Sequence, residues 1–419
     1  MSGTLLVRGA RQLLTLRGPA EPRRGFALKE LSIIRDGALL IVDGRIAEVG
    51  LSRRVENLLP ARRAEEIDAT GRVVMPGFVD CHAHLVWGAP SMDDCEARIN
   101  GDVQAALGPE STILALRNAS GKRLESRARR FVNGMVRHGT TTVEAKSGYG
   151  LEERIELKAL RVHAKLDRAL VDTVSTFLAP RSLPEAHAND AEGYLSWICS
   201  ELLPKIRRRK LARFAGLHCR EGAFDMGQWR RYLAAARSLG FELKVHAGPC
   251  GASDALRIAL EMGAVTVEGL EDAGPTDAAL LARSDAMAVL LPGTALQDGS
   301  GARGLGRRLV DHGAAVALGT NFHPGRSSTY SMPAIVALAC AHLGMSPAEA
   351  ICAATFNAAC ATRSGATAGS LEVGKPADLI VLNAPDYRDI PYRFGVNLVN
   401  RTLKHGLTTY QEGKVGSRA

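Results

Sequence analysis

The sequence predicts an α/β protein with an eight-stranded β/α barrel at its centre and one small β domain built from its two ends. Three observations predict it. Between residues 76 and 364, amphipathic helical stretches alternate with short apolar strands, the rhythm of a parallel sheet covered by helices. That stretch is long enough for eight strand-helix units, which take about 250 residues. The flanking segments, 1–75 and 365–419, read as strands and turns and are expected to pair with each other across the barrel.

The elements follow in order. "GALLIVDGRIAEVG" (37–50) has two apolar runs around Asp43-Gly44, a strong hairpin signal. "VVMPGFVDCHAHL" (73–85) opens the barrel. "SRARRFVNGMVRHG" (126–139) and "MGQWRRYLAAARSLG" (226–240) read as helices. "TTTVEAKSG" (140–148), "FELKVHAG" (241–248), "AVTVEGL" (264–270), "MAVLLPG" (287–293) and "AAVALGTN" (314–321) read as buried strands. The chain returns to strands in "GSLEVGKPADLIVLNAP" (369–385) and "RTLKHGLTTYQEGKV" (401–415).

Composition narrows the class. With 46% hydrophobic and 23% charged residues, the chain has the balance of a soluble globular protein. Its +9 formal charge comes mostly from scattered arginine. The one tight basic cluster, "KIRRRKLAR" (205–213), reads as a solvated helix or loop, and no nucleic-acid motif accompanies it. The eight cysteines form no C-x-x-C pair, which fits a reduced cytoplasmic protein. The N-terminal stretch lacks the apolar core and cleavage site of a signal peptide, and no 18-residue apolar run suggests a membrane span.

The candidate chemistry lies at strand ends, where barrels place it. His82 and His84 in "DCHAHL" are two apart just after a strand, so an extended chain turns both into the barrel mouth. His246 ends "FELKVHAG". Three such histidines can chelate a divalent cation, whereas each alone reads better as a satisfied structural histidine. Asn321 and His323 in "LGTNFHPG" follow another buried strand and share one face if that strand continues. Glu144 and Glu268 read as ion-pair partners, Glu144 with Lys146.

"VMPGFVDCHAHLVWG", "TTVEAKSGYGLEERIELKALRV", "CREGAFD", "LLPGTA", "VALGTNFHPG" and "GSLEVGKPADLIVLN" together resemble the imidazolonepropionase family of the amidohydrolase superfamily. "KSGYGL" with "ELKALRV" is specific to that family, while H-x-H and G-K-x-A-D-L belong to the whole superfamily. The resemblance implies a distorted (β/α)8 TIM-like barrel and a small β-sandwich from both termini. It also implies one Zn or Fe ion, a homodimer, and hydrolysis of the ring amide of 4-imidazolone-5-propanoate, a small-molecule substrate of histidine degradation. His82, His84 and His246 fall on the family's metal histidines, and Tyr149 on its substrate-facing tyrosine.

The rest of the pocket departs from the pattern. Asn321 stands where the family has the aspartate that binds metal and acts as base, and His323 where it has asparagine. Ser91 replaces the arginine for the substrate's carboxylate, Arg181 and Gly269 replace histidines, and Pro249 replaces a glutamate or glutamine. In this class the ion acidifies a water and the carboxylate moves its proton to the leaving nitrogen. A carboxamide cannot move that proton. Asn321 still offers its oxygen to the metal, and three neutral histidines remain a competent zinc set. His323 is the nearest proton carrier in sequence, unless Pro324 turns it outward. Arg181 can hold a carboxylate from another wall or simply form a surface salt bridge. Two readings follow: a hydrolase of a small cyclic amide with an altered substrate, or a paralogue that kept the fold and lost hydrolysis.

Overall fold

The computed structural model describes residues 3–87, 96, 110–167, 169–180, 182–219, 224–248, 252–298, 302–323 and 327–413. Eight parallel strands form its centre: β1 (Phe78–Ala83), β2 (Thr140–Lys146), β3 (Asp172–Leu178), β4 (Phe214–His218), β5 (Glu242–His246), β6 (Thr266–Glu268), β7 (Met287–Leu290) and β8 (Ala315–Leu318). They pair in sequence order from β1 to β8. Beyond β8 the barrel nearly closes on β1: Ala83 bridges Phe322, and the Asn321 and His84 N–H groups donate to the His82 and Phe322 carbonyls at 2.8 and 2.9 Å.

The local sequence explains these elements. β8 reads "AVAL" and is buried throughout, as a strand covered on both faces must be. The helix Gly121–Arg137 buries Leu124, Ala128, Val132, Met135 and Val136 on one face. Ser120 caps it, accepting from the Arg123 N–H at 3.2 Å. Helix Met226–Ser238 starts on a reciprocal Asp225–Gln228 capping box and buries Trp229, Tyr232, Leu233 and Ala236. The basic cluster forms the helix end Leu203–Arg208, with Arg207 to Lys210 exposed.

Two further sheets stack as the sandwich. A four-stranded sheet holds Thr4–Ala10, Gly37–Val42, Arg45–Leu51 and Glu65–Asp68. Its hairpin turns at Asp43 and Gly44, both at positive φ, as a tight two-residue turn requires. A six-stranded sheet joins Gln12–Leu14, Ile33–Ile34 and Val73–Pro76 to Leu379–Leu382, Val399–Lys404 and Leu407–Gln411. Val7, Leu39, Ile41 and Ile67 of the first pack on Leu13, Val74, Leu379 and Leu403 of the second. The stretch 73–85, read as the opening of the barrel, holds two strands in two sheets. Gly77 lies between them, where a Cβ would stand 2.3 Å from Thr141, so only glycine lets the chain pass that close.

Lys404 bolts the second sheet to the foot of the barrel. Its ammonium lies 2.6 Å from Asp172 on β3 and 2.5 Å from Asp378. Burial raises Asp378's carboxyl above its usual range against the pull of Lys404.

Candidate metal centre

The sequence-predicted histidines meet at the carboxyl end of the barrel. His82 and His84 are each 4% exposed, with ring centres 5.5 Å apart, edge to face. His246, the last residue of β5, lies 6.2 Å from His82. Two imidazoles sharing a tetrahedral ion have ring centres about 5.2 Å apart, given metal–nitrogen bonds of about 2.1 Å. The rings thus stand about 1 Å or less beyond that spacing. Burial pushes His82 down to about 4, against the pull of Glu268, so its imidazole is neutral, as a metal ligand must be.

Among the described residues, one set of three His or acidic ligand atoms lies within 4.8 Å of one another, and it is elsewhere: Asp172, Asp378 and His405. The Lys404 ammonium already stands between those two carboxylates, so this set is an ion-pair network at the barrel's foot.

Asn321 does not continue a strand. β8 stops at Leu318, and Asn321 takes φ of 47°, a left-handed conformation that asparagine tolerates better than most residues. Its side-chain amide donates to Thr294 Oγ1 at 2.9 Å. His323 therefore reaches the site by a different route from the shared strand face expected. Backbone bonds with Ser327, at 2.9 and 3.1 Å, turn it back toward the mouth. Its ring stacks on Tyr149 at 4.9 Å and stands 5.4 Å from His84, and Tyr149 is 5.2 Å from His84. Arg181, Ser91 and Pro249 lie outside the described residues.

Beneath the histidines the barrel interior is charged, where branched apolar side chains are usual. Lys146 lies 2.8 Å from Glu144 and 3.2 Å from Glu268, and Lys244 lies 2.5 Å from Glu144. Burial alone would raise Glu268, but the charged Lys146 ammonium beside it helps hold it well below the usual range. Glu144 is likewise held low by Lys146 and Lys244 against its burial. Asp80 accepts from Thr320 N and Oγ1 at 3.0 and 2.6 Å, tying β1 to the end of β8, and burial lifts it to about 6. Among these buried groups three carboxylates (Asp80, Glu144, Glu268) outnumber two ammoniums (Lys146, Lys244). The neutral His82 imidazole above these buried carboxylates fits a divalent cation.

Sequence reasoning took Glu268 as a plain ion-pair partner and passed over His218. Glu268 Oε2 lies 2.6 Å from His82 Nδ1 and 3.8 Å from His246 Nδ1. His218 ends β4 and stacks on His246 at 4.2 Å. The signal was register: His218, His246 and Glu268 are neighbours on three adjacent strands. Gly269 is the other half of that row, since a Cβ there would stand 2.7 Å from His246 Nε2.

A barrel with an H-x-H pair closing its first strand defines the amidohydrolase class, and models of the amidohydrolase family match residues 65–109 and 230–410. The chain is 36% identical to imidazolonepropionase of Alkaliphilus metalliredigens, covering 98% of this chain and 99% of that protein. It is 39% identical to imidazolonepropionase of Geobacillus kaustophilus, again over 98% and 99%. The chain belongs to the imidazolonepropionase family of amidohydrolases. Its fold is also that of a zinc-bound adenosine deaminase from Xanthomonas campestris (TM-score 0.70, 16% identity, 99% and 94% covered). Escherichia coli guanine deaminase shares it too (TM-score 0.70, 17% identity, 98% and 99% covered).

Proposed function

We propose that the chain is a metal-dependent hydrolase that opens a small cyclic amide, with a substrate that departs from 4-imidazolone-5-propanoate. One observation carries the reading: His82, His84 and His246 gather at the barrel mouth above a buried network of carboxylates and lysines. The relatives named imidazolonepropionase support a cyclic C–N substrate. A zinc or iron ion held by the three histidines, with the Asn321 oxygen beside it, would supply Lewis acidity and an acidified water.

The protein's own groups do the rest. The stacked Tyr149 and His323 rings form a flat wall against which a planar ring can lie. His323 carries the proton to the leaving nitrogen, because imidazole both takes and gives protons near neutrality. Arg181 is assigned to a substrate carboxylate, in place of the arginine replaced by Ser91. The same reading makes the protein a cytoplasmic homodimer. Cys81, Cys199, Cys340, Cys352 and Cys360 are free thiols, and no helix among the described residues is long and apolar enough to cross a membrane.

Asn321 favours a second reading, a paralogue without hydrolysis, because its amide donates to Thr294 and takes no proton. Elemental analysis of protein purified without an affinity metal, beside a His82→Ala control, separates them. About one Zn or Fe per chain, lost in the control, supports the hydrolase, and a screen of cyclic amides follows. No bound metal, and none taken up from added zinc, supports the paralogue.

A further inference from the structure

We infer that Glu268 is the positioning residue of this centre, setting the ring tautomers of His82 and His246 so that both turn Nε2 to the ion; this rests on the metal reading above. Lys146 holds Glu268 Oε1 at 3.2 Å, which leaves Oε2 for the imidazoles. Oε2 stands 2.6 Å from His82 Nδ1 and 3.8 Å from His246 Nδ1. Glu268 is 2% exposed, so water does not supply the donors its charge needs. An imidazole meets a carboxylate favourably through Nδ1 only when that nitrogen carries the proton. The opposite tautomer would set a lone pair against the negative oxygen. The His82 contact is short but lies off the N–H line.

The arrangement also answers the change at Asn321. A neutral amide at that corner leaves the metal's own shell without a carboxylate. Glu268 places a full negative charge directly behind one ligand ring and close to a second. A carboxylate behind a histidine raises its basicity and fixes its orientation, and losing such a partner typically lowers metal affinity about 10–100-fold. In this chain, Glu268 thus returns from behind the rings part of the negative charge that Asn321 lacks beside the ion.

Two measurements test the role. Nitrogen-15 NMR of histidine-labelled, metal-free protein, with His82 assigned by loss of its signal in His82→Gln, reports the tautomer without any change at Glu268. The Nδ1–H form is expected, and an Nε2–H form overturns the inference. Competition of zinc against a chromophoric chelator then compares variants whose folding is checked by circular dichroism. Glu268→Gln, nearly the same shape, is expected to weaken zinc binding about 10–100-fold, with Glu268→Asp in between. Lys146→Met removes the other partner of Glu268 without touching the rings, and is expected to lose far less. Equal losses in Lys146→Met and Glu268→Gln would reduce Glu268 to scaffold. Zinc uptake by the wild type with unchanged affinity in Glu268→Gln overturns the role alone. A wild type that takes up no zinc overturns the metal reading and this role with it.

Discussion

Gly269 lies where the family resemblance expects a histidine, and the structure says that a side chain cannot simply be put back. In Gly269→Ala the new Cβ would stand 2.7 Å from the Gly248 backbone nitrogen and 2.7 Å from His246 Nε2. Backbone at φ of 69° adds about 1 kcal/mol for any residue with a Cβ. Overpacking against groups that must shift adds about 1–3 kcal/mol. A total near 3 kcal/mol is therefore expected. Unfolding entropy of about 2.1 cal/mol/K per residue over 419 residues gives about 0.9 kcal/mol/K, so the melting temperature should fall by about 3 °C. The more telling readout is zinc affinity, because the cheaper way to relieve the clash is to swing His246 off its place. Calorimetric melting and chelator competition on the same preparations measure both. An alanine variant that melts within about 1 °C of wild type and binds zinc equally well would show that the row His218–His246–Gly269 is slack, and would refute the reasoning.

The other predictions are more direct. Asn321→Asp alone is expected not to give robust turnover of 4-imidazolone-5-propanoate, measured as substrate loss by chromatography; robust turnover would mean that Gly269 and the other replaced positions matter little. Lys404→Met leaves Asp378 and Asp172 without their shared cation, so stability should fall by about 3–5 kcal/mol, read as a melting temperature lower by about 3–6 °C. His163 is fully buried and burial pushes it down to about 3. Its unfolded form binds a proton below about 6.5 while the folded form does not, so stability present above that pH is lost as pH falls toward 3, at up to about 1.4 kcal/mol per pH unit. His163→Leu should flatten that part of the urea-derived stability profile, and an unchanged slope would assign the loss to other groups.

Much of the fold was legible because burial on both faces leaves a plain mark. "MAVL" and "AVAL" are continuous apolar runs and became β7 and β8. β3 and β4 were not named in advance. β3 reads "DTVSTFL" and is only half buried over its first four residues, and β4 is five residues with a central glycine, so neither shows the run. The candidate site divides in the same way. His82, His84 and His246 announce themselves by residue type at strand ends. The inward turn of His323 does not, because it depends on the left-handed step at Asn321 and the backbone pair with Ser327. Glu268 was read as an ion-pair partner and does pair with Lys146, but its second contact, with His82, was not legible because His82 lies 186 positions earlier in the chain and meets it only once the barrel has closed.

The six-stranded sheet sets a schedule for making the protein. Val73–Pro76 finds its antiparallel neighbour in Leu379–Leu382, about 300 residues later. At a synthesis rate of about 5–20 residues per second, that wait lasts roughly 15–60 s. During it, the nascent barrel has an unpaired strand edge at its foot and no Lys404 to join it. The sheet edge that stays open longest in synthesis is thus at the opposite end of the barrel from the histidines.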